Sequence, residues 1–317
     1  MKSDKKILTL IPMTEKQKSR LKAAMPDGSF IFTDAEKLAQ EQVHQADIIL
    51  GSVPVSMLRQ AEHLKWLHLN TAGYEQYAAP GVLRENTLLT NSTGAYGKAV
   101  SEHLFTMTLA LQKRLPAYRD NQRNHIWRDE GNVVSMSDAR VLVLGTGDIG
   151  SHFASLAHAF GAYVIGVKRM PGVCPTGIDE LHLMEDLDML LPQADVVAAF
   201  LPSTPETKKL FDREKFSLMK AGSIFVNGGR GDLVCTDELC DALENGHLFG
   251  AALDVTDPEP LPADHRLWDI PGAFVTPHIS GYYHLPETLN NIVEICIENV
   301  RRYACGEELR NLVVRSF

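Results

Sequence analysis

VLVLGTGDIG, residues 141–150, joins four consecutive apolar residues to three glycines in the spacing G-x-G-x-x-G. The apolar run is typical of a strand buried on both faces, and Ser151–Gly161 continues with apolar residues at helical spacing. In such a strand–turn–helix the glycines permit a tight turn, close approach of a pyrophosphate, and close packing of the helix. The helix start adds free N–H groups and a positive dipole end. The stretch therefore predicts dinucleotide binding rather than a glycine-rich turn without a ligand, with contacts from Gly145, Gly147, Asp148, Ile149 and Gly150.

The next predicted strand, Ala162–Val167, ends at two cations, Lys168 and Arg169. An NAD site usually has an acidic residue here that hydrogen-bonds the ribose 2′-hydroxyl, but the first acid downstream is Asp179. A cation suits a 2′-phosphate, and arginine can bind it with a planar fork. The sequence favours NADPH over NADH. The alternative is that both cations are ordinary surface charges and that NADH binds through other contacts.

Size and composition limit the classes of protein that this chain can be. Its 317 residues suffice for two domains, and 44% hydrophobic with 22% charged residues is a globular composition. A net charge of −9 does not suggest a nucleic-acid or acidic-membrane partner. Apolar runs stay below the ~18 residues that a membrane span needs. After the charged start, the apolar run Ile7–Ile11 is too short for a signal peptide.

The five cysteines are scattered and form no C-x-x-C pair. An odd number at irregular spacing favours reduced thiols, so we expect a cytoplasmic protein. Histidine and cysteine do not recur at metal-ligand spacing, and we expect no metal.

Before residue 100, short predicted strands alternate with helices, which is typical of an α/β domain with a mostly parallel sheet. The predicted strands are Lys6–Leu10, Phe30–Thr33, Ala46–Leu50, Leu64–Leu69 and Leu88–Thr90. Ligands of open α/β sheets bind at the carboxyl ends of strands. The loop around Gly73 and Tyr74 follows the fourth strand, and its N–H groups are either a carboxylate site or a plain turn.

A helical pattern covers Ser101–Leu115, with Ser101 as candidate N-cap and Pro116 as the expected end. The polar stretch Pro116–Asp138 is expected to form an arm or loop that contacts a partner subunit. Trp127 within it is expected to anchor packing rather than to contact substrate.

Further predicted strands continue the nucleotide-binding region, and a closing helix, Glu287–Tyr303, is expected to return to the first domain. The strands are Asp195–Leu201, Ile224–Asn227, Gly250–Asp254 and Phe274–Thr276. We therefore expect two doubly wound parallel-sheet α/β domains, with a Rossmann domain (100–284) inserted in a flavodoxin-like substrate domain (1–99 plus 285–317). The active site is expected in the cleft between them. The apolar tail, Leu309–Val314, is expected to dock back.

Three polar residues, Arg230, Glu259 and His278, follow strands of the nucleotide-binding domain. A cofactor that moves hydride needs a partner that moves a proton, and histidine titrates near neutral pH. A carboxylate beside a histidine favours the imidazolium and fixes the ring. Arginine offers a bidentate fork for the carboxylate of a 2-oxo acid. Each residue alone could be a structural or solvated group; their joint position after a nucleotide-binding motif favours catalysis.

The chain resembles the D-isomer-specific 2-hydroxyacid dehydrogenases, the group of phosphoglycerate dehydrogenase and glyoxylate/hydroxypyruvate reductase. Beyond the glycine motif, the resemblance lies in FLPSTPET (200–207), FVNGGRGDL (225–233), GAALDVTDPEPLP (250–262) and TPHISG (276–281). It implies that Arg230 is the catalytic and substrate-binding arginine and that Glu259 and His278 form the acid–base pair.

The resemblance also implies cofactor and substrate contacts elsewhere. Asp254 would hold the nicotinamide carboxamide, Pro202 and Thr207 would lie at the cofactor, and the backbone of Gly73 and Tyr74 would bind the substrate carboxylate. The implied reaction converts a 2-oxo acid to a D-2-hydroxy acid, and the implied assembly is a homodimer through Ser101–Asp138.

Two departures from the family pattern matter. Many members have an aspartate where this chain has Lys168, which supports NADP. The chain ends soon after its closing helix, so serine control by an added regulatory domain is not expected. The Tyr282–Tyr283 pair after the histidine motif either shapes the pocket or packs on a helix.

Two questions stay open at this stage. The same arginine and histidine would suit glyoxylate, hydroxypyruvate, pyruvate or a branched 2-oxo acid. The same fold also serves dehydrogenase-like corepressors, in which NAD(P)H and a peptide bind to a scaffold; a turnover number discriminates the two.

Overall fold

The computed structural model describes residues 5–315. Its backbone divides into two compact units. The terminal unit comprises Met1–Tyr96 and Tyr283–Phe317, and the central unit comprises Gly97–Tyr282. Each unit contains one parallel sheet flanked by helices.

Strands and helices alternate along most of the chain. The strands are β1 (Lys5–Thr9), β2 (Gly28–Phe32), β3 (Ile48–Leu50), β4 (Trp66–His68), β5 (Leu88–Thr90), β6 (Arg140–Leu144), β7 (Tyr163–Lys168), β8 (Glu180–Leu183), β9 (Val196–Ala199), β10 (Ile224–Asn227), β11 (Gly250–Leu253) and β12 (Ala273–Val275). The α-helices are α1 (Glu15–Ala24), α2 (Gln40–Gln45), α3 (Val55–Leu58), α4 (Glu75–Ala78), α5 (Gly97–Gln112), α6 (Leu115–Arg123), α7 (Asp148–Ala159), α8 (Leu187–Leu190), α9 (Arg213–Leu218), α10 (Thr236–Glu244) and α11 (Pro286–Cys305). None of these helices is long and apolar enough to cross a membrane.

The sheet of the terminal unit has the strand order β2-β1-β3-β4-β5, with all strands parallel. This is the flavodoxin-like order, as predicted. Leu8, Ile49 and Leu67 form a core with residues of α2 and α3 on one face. On the other face Trp66 stacks on Tyr303 of α11, with ring centroids 5.1 Å apart. Both faces are therefore covered, which agrees with the continuous apolar runs of the strands.

The tail after α11 docks back on the terminal unit, as expected: Leu309 is buried and Val313 packs against the core, and the backbone of the tail pairs with β5. Leu312 forms an antiparallel bridge with Thr90. The Asn311 amide donates to the carbonyl oxygens of Asn91 at 3.1 Å and Thr93 at 2.7 Å. The side chains of Leu312 and Val314 are exposed.

A fully buried histidine lies in the core of the terminal unit. His68 on β4 is 0% exposed, and its Nδ1 lies 2.8 Å from the Thr90 hydroxyl, which also accepts the indole N–H of Trp66 at 2.8 Å. The single hydroxyl hydrogen of Thr90 is thus available for Nδ1, which makes His68 a neutral acceptor. Burial lowers the pKa of His68 from its ordinary value of 6.5 to about 3.

Because folded His68 stays neutral, we expect the free energy of unfolding of the terminal unit to fall in mild acid. Between pH 6.5 and about 3 the unfolded chain binds one more proton than the folded chain, since only the folded state keeps His68 neutral. The free energy of unfolding should therefore fall by up to about 1.4 kcal/mol for each pH unit below 6.5 through this group alone. Urea unfolding followed by Trp66 fluorescence measures it. His68→Asn, which keeps an acceptor near Nδ1, should have a shallower acid slope; identical slopes would contradict the prediction.

The central unit has the strand order β12-β11-β10-β9-β6-β7-β8, again all parallel. The order reverses between β6 and β9, which makes that position the switch point at which nucleotides bind in doubly wound sheets. Fully buried apolar residues line β6, β9 and β10. The sheet is the Rossmann type that the sequence predicts.

Strand β8 was not predicted. Its four residues, ELHL, are each only half-buried, and none of them is β-branched. It forms because β7 offers a free edge: Ile165 pairs with Glu180 and Lys168 with Leu183. Backbone pairing with an existing strand, rather than side-chain pattern, places it.

Two predictions about the helix after residue 100 are wrong. Helix α5 begins at Gly97, so Ser101 lies inside it, buried, with its hydroxyl donating to the Lys98 carbonyl at 3.1 Å. Pro116 does not end this helix; it is the second residue of α6, after Arg114 in a left-handed conformation. A proline in the first turn is tolerated because its missing N–H would have no intrahelical partner.

Part of the expected arm is therefore helical, and its tryptophan does not pack within the chain. Trp127 has a relative exposure of 104% in the single chain, so its expected role as a packing anchor stays a prediction. Ile126, Val133 and Val134 near it are also exposed.

Candidate active site

The space around the three glycines of the turn between β6 and α7 shows whether the central unit can hold a dinucleotide. Gly145 has φ +87°, and a Cβ there would lie 2.9 Å from the Phe200 carbonyl oxygen. A Cβ at Gly150 would overlap the Gly145 carbonyl oxygen. A Cβ at Gly147, in contrast, would meet no atom within 4 Å. The space in front of Gly147 is open, as a bound pyrophosphate requires.

Helix α7 presents its N-terminus to this space. It has twelve residues, begins directly after Gly147, and has no side chain that caps its first N–H groups. Unsatisfied N–H groups and the helix dipole favour an anion. Asp148, in the first turn, has its carboxylate 3.7 Å from His152. The residues present therefore fit a dinucleotide with its pyrophosphate at α7.

The carboxyl end of β7 has two cations and no acid. Among residues 5–315, neither Lys168 nor Arg169 makes an ion pair within 4 Å, and a Cβ at Gly172 would lie 2.6 Å from the Lys168 ammonium. Asp179 lies at the opposite end of the strand, where it accepts the N–H of Val164 at 2.8 Å. Nothing acidic on β7 itself is thus placed to bind a ribose 2′-hydroxyl.

The loop after β9 contains the predicted cofactor contacts Pro202 and Thr207. The Thr207 hydroxyl donates to the Pro202 carbonyl at 2.6 Å and accepts the Thr204 N–H at 2.8 Å, which closes the loop into a compact turn. The pKa of Glu206 is lowered, first by a hydrogen bond with the Thr204 side chain and also by the charge of Arg169. The loops after β7 and β9 therefore meet at the same edge of the sheet.

Arg230 follows β10 and is held by its own loop. The Asn227 amide donates to the Arg230 carbonyl at 2.9 Å and accepts the Gly229 N–H at 3.1 Å, while the guanidinium donates to the Gly229 carbonyl at 2.8 Å. A Cβ at Gly231 would overlap the Thr256 carbonyl oxygen. The arginine loop thus packs directly on the segment that leads to Glu259.

Glu259 and His278 meet, as the sequence predicts for an acid–base pair. The Nδ1 of His278 lies 2.6 Å from Oε1 of Glu259, and both side chains are about half exposed. Because an ionised carboxylate only accepts hydrogen bonds, Nδ1 carries a hydrogen. The Nε2 atom is then the one left for proton exchange with a substrate.

Asp254 is buried, with 2% exposure, beneath the turn that holds His278. Its carboxylate accepts the N–H groups of Ile279 at 3.0 Å and Ser280 at 3.2 Å, and the hydroxyls of Thr276 at 2.6 Å and of Ser280. A contact with nicotinamide, which the sequence predicts for Asp254, stays a prediction. The sequence did not indicate that Asp254 holds the histidine turn.

Gly73 and Tyr74 belong to the terminal unit, whereas the other candidate residues belong to the central unit. The Thr71 hydroxyl donates to the Gly73 carbonyl at 2.8 Å, and the Tyr74 N–H donates to the Glu75 carboxylate at 2.8 Å. The N–H of Tyr74 therefore already binds a carboxylate within its own loop. Substrate binding by this loop stays a prediction.

No group of three or more histidine, cysteine or acidic side chains among the described residues is arranged to hold a metal ion.

Comparison with known proteins places this site in a family. The model of the D-isomer specific 2-hydroxyacid dehydrogenase NAD-binding domain matches residues 105–280. The chain is similar to the crystal structure of a D-isomer specific 2-hydroxyacid dehydrogenase family protein from Aeromonas salmonicida. The two share 32% identity and a TM-score of 0.86, over 98% of this chain and 99% of that one.

Two further relatives carry more specific descriptions. D-3-phosphoglycerate dehydrogenase of Mycobacterium tuberculosis is 33% identical over 78% of this chain, which spans about half (47%) of that relative's length. A D-isomer specific 2-hydroxyacid dehydrogenase from Xanthobacter autotrophicus, solved with NADPH and MES, is 26% identical with a TM-score of 0.81, covering 98% of both chains. By its matched domain, its two-unit fold and these relatives, the chain belongs to the D-isomer specific 2-hydroxyacid dehydrogenase family.

Proposed function

We propose that this protein is an NADPH-dependent reductase of small 2-oxo acids that forms D-2-hydroxy acids. The observation that carries the proposal is the 2.6 Å contact between His278 Nδ1 and Glu259, in the same unit as an open glycine turn. Membership of the family supports a nicotinamide cofactor and a dehydrogenase or reductase that acts on CH–OH groups.

His278 is the proton donor in the proposed mechanism. Glu259 accepts the Nδ1 hydrogen at 2.6 Å, which fixes the orientation of the ring and leaves Nε2 for the substrate. The proton at Nε2 passes to the carbonyl oxygen of the 2-oxo acid, and the neutral ring takes a proton back in the reverse reaction. The nicotinamide cofactor, when bound, supplies the hydride to the carbonyl carbon.

Arg230 binds the substrate carboxylate and stabilises the negative charge that develops on the substrate oxygen. Its guanidinium is anchored on the Gly229 carbonyl, so the side chain is oriented before substrate arrives. We assign the N–H groups of Gly73 and Tyr74 a second contact with the substrate carboxylate. The Tyr74 N–H donates to the Glu75 carboxylate at 2.8 Å, which supports the ability of this N–H to bind a carboxylate.

A spectrophotometric assay tests the function directly. Purified protein is mixed with NADPH or NADH and with glyoxylate, hydroxypyruvate, pyruvate or a branched 2-oxo acid, and loss of absorbance of the reduced cofactor is followed. Turnover with at least one 2-oxo acid is the expected result. Cofactor binding without turnover of any of them would contradict the reductase and favour the scaffold alternative.

The preference for NADPH rests on Lys168 and Arg169, neither of which has an acidic partner within 4 Å in the described part of the chain. Two unpaired cations at the end of β7 suit a 2′-phosphate, and arginine can bind it through two parallel hydrogen bonds. The Xanthobacter relative, solved with NADPH, supports the same choice.

Replacing both cations should reverse this preference. In Lys168→Asp/Arg169→Ser the ratio of kcat/KM for NADPH to that for NADH should fall about 100-fold, because charge-assisted contacts to the phosphate are lost and the aspartate accepts a 2′-hydroxyl. The measurement is steady-state kinetics with each cofactor. Lys16→Asp/Arg59→Ser, at exposed positions of the terminal unit, makes the same charge change and should leave the ratio unaltered. An unchanged ratio in Lys168→Asp/Arg169→Ser would show that neither cation contacts the cofactor.

We also propose that the protein is a homodimer that pairs through the Ser101–Asp138 region. The fully exposed Trp127 supports this, together with Ile126, Val133 and Val134, which are also exposed and lie close to it in the sequence. Sedimentation equilibrium should give twice the chain mass for the natural protein and a weaker association for Trp127→Ser. A single-chain mass for the natural protein at micromolar concentration would refute the dimer.

A further inference from the structure

A histidine that the mechanism does not use lies behind the catalytic turn of the central unit. His103 is on α5, and its side chain has 29% relative exposure. Its Nε2 lies 3.0 Å from the Thr276 hydroxyl and 3.9 Å from the Asp254 carboxylate. Thr276 is two residues before His278, so α5 reaches the segment that holds the proton donor.

The direction of each hydrogen bond follows from the groups present. The Asp254 carboxylate can only accept, so the one hydrogen of the Thr276 hydroxyl points to Asp254, at 2.6 Å. The Thr276 oxygen can then only accept from His103, which fixes a hydrogen on Nε2 of that ring. The order of donation is His103 to Thr276 to Asp254.

The turn that this chain of hydrogen bonds supports is strained. His278 has φ +51°, in the left-handed region that a non-glycine residue occupies at a cost in free energy. Its N–H donates to the Asp254 carbonyl at 2.8 Å, and the Asp254 carboxylate accepts the next two N–H groups, those of Ile279 and Ser280. Asp254 therefore holds the backbone on both sides of the histidine.

We propose that His103 is a positioning residue, which through Thr276 orients the Asp254 carboxylate and so holds His278 in its reactive conformation. The effect on turnover rests on the proposed function, but the effect on the backbone of the turn does not. His103 supplies a hydrogen-bond donor at a fixed place, and no ionisation of its ring is required.

The test compares His103→Leu with His103→Gln in the full-length protein. Leucine removes the hydrogen-bond donor and has a high helix propensity, so α5 should be retained. The glutamine amide can place an N–H near the position of Nε2. Loss of one hydrogen bond to a buried group predicts about a fivefold fall in kcat for the leucine variant. The KM for NADPH should change by less than about twofold, and glutamine should restore kcat to within about twofold of the natural protein.

Amide hydrogen exchange in the peptide spanning residues 276–283 provides a readout that needs no turnover. In the cofactor-free protein this segment should exchange about fivefold faster with leucine at position 103 and at the natural rate with glutamine. If the natural protein reduced no 2-oxo acid, the proposed function would fail while this comparison would still decide the role of His103.

A double-mutant cycle distinguishes an effect that passes through the Thr276 hydroxyl from a general destabilisation of α5. Thr276→Val removes the intermediate hydroxyl, so His103→Leu/Thr276→Val should be no slower than Thr276→Val alone. Thr276→Ser keeps the hydroxyl and should behave as the natural protein. Equal losses with leucine and glutamine, unchanged exchange with leucine, or additive losses in the double variant would each overturn the proposal.

Discussion

His278→Ala is expected to lower kcat for 2-oxo acid reduction by about 10³-fold, because a positioned general acid contributes about 10²–10⁴ to the rate of such a proton transfer. The affinity for NADPH should stay within about twofold, since the proposed pyrophosphate site lies at the Gly145–Gly150 turn, away from the histidine segment. Steady-state kinetics and fluorescence titration of the cofactor measure the two effects separately.

Two further variants locate the cause of that loss. Glu259→Gln keeps a hydrogen-bond acceptor 2.6 Å from His278 but removes the negative charge, so kcat should fall by an intermediate factor of about 10–100. His63→Ala, at an exposed histidine of the terminal unit, should leave kcat unaltered. Full activity in His278→Ala would assign the proton transfer to another group.

Gly147→Ala is expected to weaken cofactor binding by about 100-fold with no loss of stability. The methyl group would meet no protein atom within 4 Å and would occupy the space in front of α7. A methyl group forced against a bound pyrophosphate costs about 1–3 kcal/mol, the range found for overpacked sites. Isothermal titration with NADPH and thermal unfolding of the cofactor-free protein measure the two quantities.

Gly150→Ala is the matched control, since it adds the same methyl group three residues later. There the Cβ would overlap the Gly145 carbonyl oxygen, so the backbone of the turn must move, and the free energy of unfolding should fall by about 1–3 kcal/mol or more. Gly147→Ala should therefore weaken NADPH binding without lowering the free energy of unfolding, whereas Gly150→Ala should lower the free energy of unfolding. Normal NADPH affinity in Gly147→Ala would place the pyrophosphate elsewhere.

The sequence predicted well where one local pattern is sufficient. The strands Ile224–Asn227 and Leu88–Thr90 were predicted with the bounds that the structure has, because each is a short apolar run between turn residues. The glycine turn between β6 and α7 likewise follows from local spacing.

Local pattern failed where a partner element determines the structure. Strand β8 has no strand-like composition and forms on the free edge of β7. Pro116 was predicted to end a helix, but Arg114 in a left-handed conformation precedes a new helix, α6, in which Pro116 is the second residue.

The sequence by itself determined the two parallel-sheet units, the dinucleotide turn and the pairing of Glu259 with His278. These follow from short-range patterns and from motifs at strand ends, where a parallel sheet brings its loops to one edge. Only the tertiary structure decided that Asp254 faces the backbone of the histidine turn and that His103 supports it through Thr276. Those contacts join residues more than 20 positions apart, and their hydrogen bonds depend on burial and on atom positions that no periodicity in the sequence encodes.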